Sequence, residues 1–186
     1  MPETLRSLLS RLSSVYKPGG FWLQTTTYSC LARDQHLHRS HLPATNNMSV
    51  HPGKYRIVAS HAKDMCLEAS KYGEDSVKLD YNTGGPNQIF EIVDKGGMYN
   101  IIGQTGLKLA GPENSSTGAC TMVQGWENSL AAEWNFEGMG NGSFYIMNTS
   151  SGNRLSVKGG VRDVGSDLVV SYKMDQEHCK FELQRA

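Results

Sequence analysis

Apolar and polar residues alternate in short runs from Gly53 to the C-terminus, with glycine-rich breaks between the runs. A period of two marks strands that bury one face. Three runs open alike: Gly53-Lys54-Tyr55-Arg56-Ile57, Gly97-Met98-Tyr99-Asn100-Ile101 and Gly142-Ser143-Phe144-Tyr145-Ile146. Their aromatic positions 55, 99 and 144 are 44 and 45 residues apart, so the pattern is an internal repeat. Each copy continues with a turn (residues 60–64, 103–106 and 149–153) and a second strand around Leu67, Leu109 and Leu155. A third strand spans residues 77–81, 121–124 and 168–172, and a fourth carries Phe90, Trp134 and Phe181.

Four strands in each of three copies predict twelve strands, with repeats at about 53–96, 97–141 and 142–186. One copy alone cannot bury its apolar face and its strand edges, whereas three can close into a barrel. An open sandwich or a three-bladed propeller are the rival solutions. Propellers normally need four or more blades, which favours an all-β trefoil. Leu67, Leu109, Leu155 and the repeated aromatics are expected to fill the barrel interior. All six prolines fall outside the strand cores, and no useful helix is expected after residue 48.

Residues 1–47 hold no copy of the repeat and read as a poorly ordered extension, a mis-assigned start before Met48, or a targeting segment. Leu5, Leu8, Leu9 and Leu12 sit at helical spacing among Arg and Ser, as in a mitochondrial transit peptide, until Lys17-Pro18-Gly19-Gly20 ends the pattern. His36, His38 and His41 lack flanking cysteines or carboxylates, so no metal site is read there.

The chain's 18 basic and 18 acidic residues cancel, but unevenly. Residues 1–47 hold five basic and two acidic residues, leaving 18 − 5 = 13 and 18 − 2 = 16 in the body, a net of −3. An acidic body argues against nucleic acid as a partner. No apolar run is long enough to span a membrane as a helix. Cys30, Cys66, Cys120 and Cys179 show no CxxC pairing and read as free thiols in a reducing, cytoplasmic compartment, ahead of a mitochondrial or secreted one. The sequons at Asn114, Asn141 and Asn148 read as Asn- and Ser-rich turns. No nucleophile–base order or phosphate loop stands out, nothing nearby poises His61 or His178, and Glu74 and Asp75 lack a partner base. The chain reads as a non-enzyme without a cofactor.

Asn87-Gln88-Ile89-Phe90, Ser151-Gly152-Asn153-Arg154-Leu155-Ser156-Val157 and the opening Met48-Ser49-Val50-His51-Pro52-Gly53-Lys54-Tyr55 carry a family resemblance. Over residues 50–186 the chain resembles the ricin-B-type β-trefoil lectins, in their fungal, disulfide-free branch. That family has a Gln-x-Trp or Gln-x-Phe at the last strand and a Ser-Gly turn before a Leu-Asp-Val strand. The resemblance implies carbohydrate binding through an acid after the second-strand Leu, an aromatic near the third strand and an Asn or Gln before the last aromatic.

The first repeat holds all three types: Glu68, Tyr81 flanked by Asp80 and Asn82, and Asn87-Gln88. The second has Ala110 and Ala132 at the acid and amide positions but keeps Gln124 and Trp126. The third has Ser156, Tyr172 and His178-Cys179. The implied partners are therefore glycans or glycoproteins, bound best by the first repeat, with Trp126 and Tyr172 secondary. Sites that are weak singly call for several sites or a homodimer. Two further readings stay open: a trefoil protease inhibitor acting through the loops Gly111–Gly118 and Gly159–Gly165, and a protein-interaction scaffold.

Overall fold

Tyr55, Ile57 and Ala59 alternate with partly exposed Lys54 and Arg56 in the first strand, so one face of that strand is driven out of water. The same pressure shapes every strand of the computed structural model. It describes residues 49–186 except 70, 72–74, 114 and 126–128. The expectations for residues 1–47, Glu74, the Asn114 sequon and Trp126 lie outside the described residues. The strands are β1 Gly53–Ala59, β2 Ala62–Ala69, β3 Val77–Tyr81, β4 Phe90–Asp94, β5 Tyr99–Ile102, β6 Lys108–Ala110, β7 Gly118–Ala119, β8 Thr121–Val123, β9 Trp134–Gly138, β10 Ser143–Asn148, β11 Arg154–Val157, β12 Ser166–Ser171 and β13 Lys180–Arg185.

The first and last strands of each repeat form a closed ring. β1 pairs with β4 and β13, β4 with β5, β5 with β9, β9 with β10, and β10 with β13, all antiparallel. Closure leaves no open edge among these six strands. The middle strands form three hairpins, β2–β3, β6–β8 and β11–β12. These hairpins are tied to one another: β3 pairs with β12, β7 with β12, and Ser76 bridges to Thr121. Six barrel strands and three linked hairpins related by an internal repeat are a β-trefoil.

Three details differ from the sequence reading. Ala62, Lys63 and Asp64 belong to β2 rather than to a turn, because Ala59 pairs with Ala62 and the hairpin needs only Ser60 and His61 to reverse. Leu67, Leu109 and Leu155 are fully buried, but they stand on hairpin strands and not on barrel strands. A two-residue strand, β7, brings the total among the described residues to thirteen.

Phe90, Trp134 and Phe181 are fully buried in one core with Ile57, Ile101 and Ile146. Burying the Trp134 indole requires a partner for its N–H, and it donates to the Leu109 carbonyl at 2.8 Å. The β4–β5 turn uses Gly96 and Gly97 at φ 84° and 100°, where a side chain is strained. Asp94 Oδ1 accepts both of their N–H groups, at 2.8 and 2.9 Å.

Cys66, Cys120 and Cys179 are free and buried. Burial, with the Glu68 carboxylate second, pushes the Cys66 thiol up to about 12. Burial also raises Cys120, and it raises Cys179 against the opposing pull of Arg154 and the Ser171 and Ser156 hydroxyls. Unfolded thiols ionise near pH 9, whereas these stay protonated in the folded domain. The stability linked to them is therefore complete below pH 9 and is lost as pH rises toward 12. Urea midpoints should hold between pH 7 and 9 and fall above, with iodoacetamide labelling of these cysteines at pH 8 only after unfolding. Rapid labelling of the native domain would contradict this account.

Candidate functional site

The register of β2 against β3 builds the site. Cys66 faces Asp80 and Glu68 faces Lys78, so the Glu68 and Asp80 side chains share one face of the hairpin. Leu67 and Leu79 point the other way, into the core. A 3-10 turn, Pro86–Gln88, then carries Gln88 back beneath this face.

Gln88 is fully buried and its amide is saturated. Its Nε2 donates to Glu68 Oε2 at 2.7 Å and to the Tyr81 carbonyl at 2.6 Å. Its Oε1 accepts from the Thr83 and Gly84 N–H groups, both at 3.0 Å, and from the Thr83 hydroxyl at 3.3 Å. Glu68 and Asp80 are only 8% and 3% exposed. Asp80 Oδ1 accepts the Tyr81 N–H at 2.7 Å. The other oxygen of each carboxylate faces the Lys71 ammonium, at 2.5 Å from Asp80 Oδ2 and 3.9 Å from Glu68 Oε1. The Lys71 ammonium thus sits against two nearly buried carboxylates.

The expected residues do not all converge. Glu68, Asp80 and Gln88 form one polar cluster. Tyr81 pairs with Met65 on the opposite face at the strand end, and is 56% exposed. Asn82 is half-buried and accepts from Arg56 Nη1 at 3.5 Å. Asn87 is half-buried in the 3-10 turn. Tyr172, 65% exposed, occupies the third repeat's counterpart of the Tyr81 position.

Strand register aligns the three copies. Glu68, Asp80 and Gln88 correspond to Ala110, Val123 and Ala132 in the second repeat and to Ser156, Ser171 and Cys179 in the third. The second trio is wholly apolar. In the third, the Ser156 and Ser171 hydroxyls share a 2.7 Å hydrogen bond. The sequence reading missed Lys71 and Arg56 as parts of the first cluster. Arg56 had a signal: its repeat counterparts Asn100 and Tyr145 are also polar, and each pegs the segment before its fourth strand. Asn100 Nδ2 donates to the Ala132 carbonyl at 2.9 Å, and the Tyr145 hydroxyl donates to Asp175.

Elsewhere, His61 and His178 meet edge-on with ring centroids 6.4 Å apart, and burial, then His61, lowers the His178 pKa. The loop Gly159–Gly165 exposes Val161 and Val164 and is tied down through Arg162 to Asp64 at 3.2 Å and the Gly165 N–H to the Leu79 carbonyl at 2.8 Å. No helix among the described residues is long and apolar enough to cross a membrane.

Residues 86–171, a little under half of the chain, match the model of the family described as ricin-type β-trefoil lectin domain-like. No curated protein matches the chain. Among solved structures, the chain is similar to the designed three-fold symmetric protein ThreeFoil, at 21% identity over 72% of this chain and 99% of that one, with a TM-score of 0.66. It is similar to the ricin B-like lectin of Macrolepiota procera, solved in complex with lactose, at 16% identity over 74% and 99% of the two chains, TM-score 0.63. It is also similar to part of an exo-β-1,3-galactanase from Clostridium thermocellum, at 17% identity over 72% of this chain, TM-score 0.67, and spans only 30% of that enzyme. At these identities the solved structures speak for the fold alone. The described domain is a β-trefoil, and its residues 86–171 are similar to the ricin-type β-trefoil lectin domain-like family.

Proposed function

We propose that the domain is a non-catalytic carbohydrate-binding module whose ligand site lies in the first repeat, at Glu68 and Asp80. The observation that carries this reading is the division of labour within the cluster. Gln88 and the Tyr81 N–H each hold one oxygen of a carboxylate, and the remaining oxygens face outward toward Lys71. Adjacent sugar hydroxyls donate to those two oxygens in place of the Lys71 ammonium, which is 46% exposed. Tyr81, whose ring is exposed but points to the other face of the hairpin, serves this site through its backbone N–H on Asp80 rather than as a stacking surface. Asn82 and Asn87 supply amides at the margin. The lectin-like match over residues 86–171 supports carbohydrate as the ligand class. Both carboxylates act as fixed acceptors, which suits binding rather than proton transfer.

A glycan array probed with the wild-type chain and with Glu68→Ala tests the reading. Losing a charged hydrogen-bond acceptor costs about 1.5–3 kcal/mol, so Glu68→Ala should weaken retained glycans by roughly 10- to 100-fold. Equal retention by the two proteins, or no glycan retained by the wild type, would sink it.

A further inference from the structure

The three seams between repeats are not equally closed. Where the third repeat meets the first, the Ser60 N–H donates to the Lys180 carbonyl at 2.9 Å. Where the second meets the third, the Thr149 N–H donates to the Glu133 carbonyl, also at 2.9 Å. Register makes Gln104 and Ile89 the counterparts of these pairs at the seam between the first and second repeats. That hydrogen bond is not made among the described residues. The ladder there also stops early. It ends at Glu91 and Ile102, whereas the other seams continue to Trp134 with Asn148 and to Phe181 with Ala59.

The turns that follow the first strands differ in length: Ala59 pairs with Ala62, the Gly103 N–H closes on the Leu107 carbonyl and the Asn148 N–H on the Asn153 carbonyl, so turn length by itself does not decide which seam closes. At the seam between the second and third repeats Asn148 adds a side-chain bond across to the Ala131 carbonyl at 2.7 Å. A Cβ at Gly103 would meet Met122 Cε at 3.0 Å, so the position is kept small by the core. The open seam forms a pocket of about 300 Å³ lined by Lys54, Pro86, Ile89, Glu91, Ile102 and the Gly103–Gly106 turn.

We propose that this seam pocket is a second ligand site, which takes the acetamido group of an N-acetylated amino sugar. Its backbone supplies a donor at Gln104 and an acceptor at Ile89, the two groups bonded to each other in the other seams. A trans secondary amide presents its C=O and N–H in opposite directions, so it accepts from one side of the seam and donates to the other. Its methyl group rests on Ile102, Ile89 and Pro86, away from water. Lys54 and Glu91 are direct cross-strand partners at the rim. Their charges cancel, which favours a neutral, hydroxyl-bearing ligand over an ion. The volume is at the low end for ligand pockets and suits one small group with its ring. No lining residue belongs to the Glu68 cluster.

The test is a two-dimensional ¹H–¹⁵N NMR titration of the full chain with N-acetylglucosamine, glucose and N-acetylglycine methylamide. The Gln104 and Gly103 amide peaks should move with both acetamido compounds, at lower concentration for the sugar, and stay still with glucose. Ile102→Trp, which fills the pocket, should abolish the movement. The Tyr81 and Gly84 amides report the Glu68 site in the same spectra, so failure of one site is distinct from failure of the other. A Gln104 peak indifferent to N-acetylglucosamine, or one that moves equally with glucose, overturns the proposal. Movement with the methylamide alone overturns the sugar as its source.

Discussion

Gln88→Ala is expected to lower the stability of the domain by about 4 kcal/mol, at the upper end of what single substitutions do. The side chain is fully buried, and its amide links β2, the end of β3 and the loop beyond. Its loss strips the Glu68 carboxylate and the Tyr81 carbonyl of a donor, and the Thr83 and Gly84 N–H groups of an acceptor. The buried Glu68 group left in this state costs about 1–3 kcal/mol, the part-buried Tyr81, Thr83 and Gly84 groups cost less because water reaches them, and the cavity left by the fully buried side chain supplies the rest. Urea unfolding followed by circular dichroism checks the value, and a loss under about 1 kcal/mol would show that Gln88 is dispensable. Gln88→Glu is an informative companion. It keeps the acceptor but sets a carboxylate against Glu68 Oε2, so it should destabilise most at neutral pH and recover as acid protonates one of the pair. Glycan binding should fall in both variants, because Gln88 positions Glu68 rather than reaching the ligand.

Trp134→Ala should cost a similar amount, about 4 kcal/mol, for a different reason. Trp134 is a fully buried side chain of the second repeat, at the position held by Phe90 and Phe181 in the others. Truncation leaves a cavity between β9 and the hairpin β6–β8, and the closed ring of strands limits how far the walls can collapse. Trp134→Phe separates packing from hydrogen bonding, since it installs the residue used by the other two repeats. Its cost should be smaller, about 1–2 kcal/mol, from the Leu109 carbonyl left without its 2.8 Å donor and a little lost volume. Equal losses for the two variants would mean that the hydrogen bond, and not the ring's volume, holds the position.

Much of the architecture is legible in the chain. Strands with one buried face must alternate, and a turn that reverses them must use residues such as Gly96-Gly97, so the repeat shows itself at Tyr55, Tyr99 and Phe144. The unequal conservation of chemistry between copies is equally plain in Glu68, Ala110 and Ser156. Hydrogen-bond partners are not legible in the same way. Gln88 in a sequence is an amide with four bonding positions, and nothing local says whether they face a ligand or the protein. Here they face the protein. Asp80 reads as a polar flank of Tyr81, yet the pleat turns it to the face of Glu68 and sends Tyr81 to the other. Lys71 belongs to the site only because the β2–β3 hairpin brings it back over both carboxylates.

Hydrophobic period and repeat spacing are properties of the chain, so the three-fold β architecture and the restriction of an acid–amide pair to the first repeat can be read from it without the fold. Tertiary structure alone decided that Gln88 is a scaffold for Glu68, that Lys71 occupies the outward carboxylate oxygens, and that one seam of the barrel stays open. These depend on which backbone and side-chain groups meet across strands far apart in sequence. At the seam between the first and second repeats Gln104 and Ile89 stay apart, where their counterparts in the other two seams are joined.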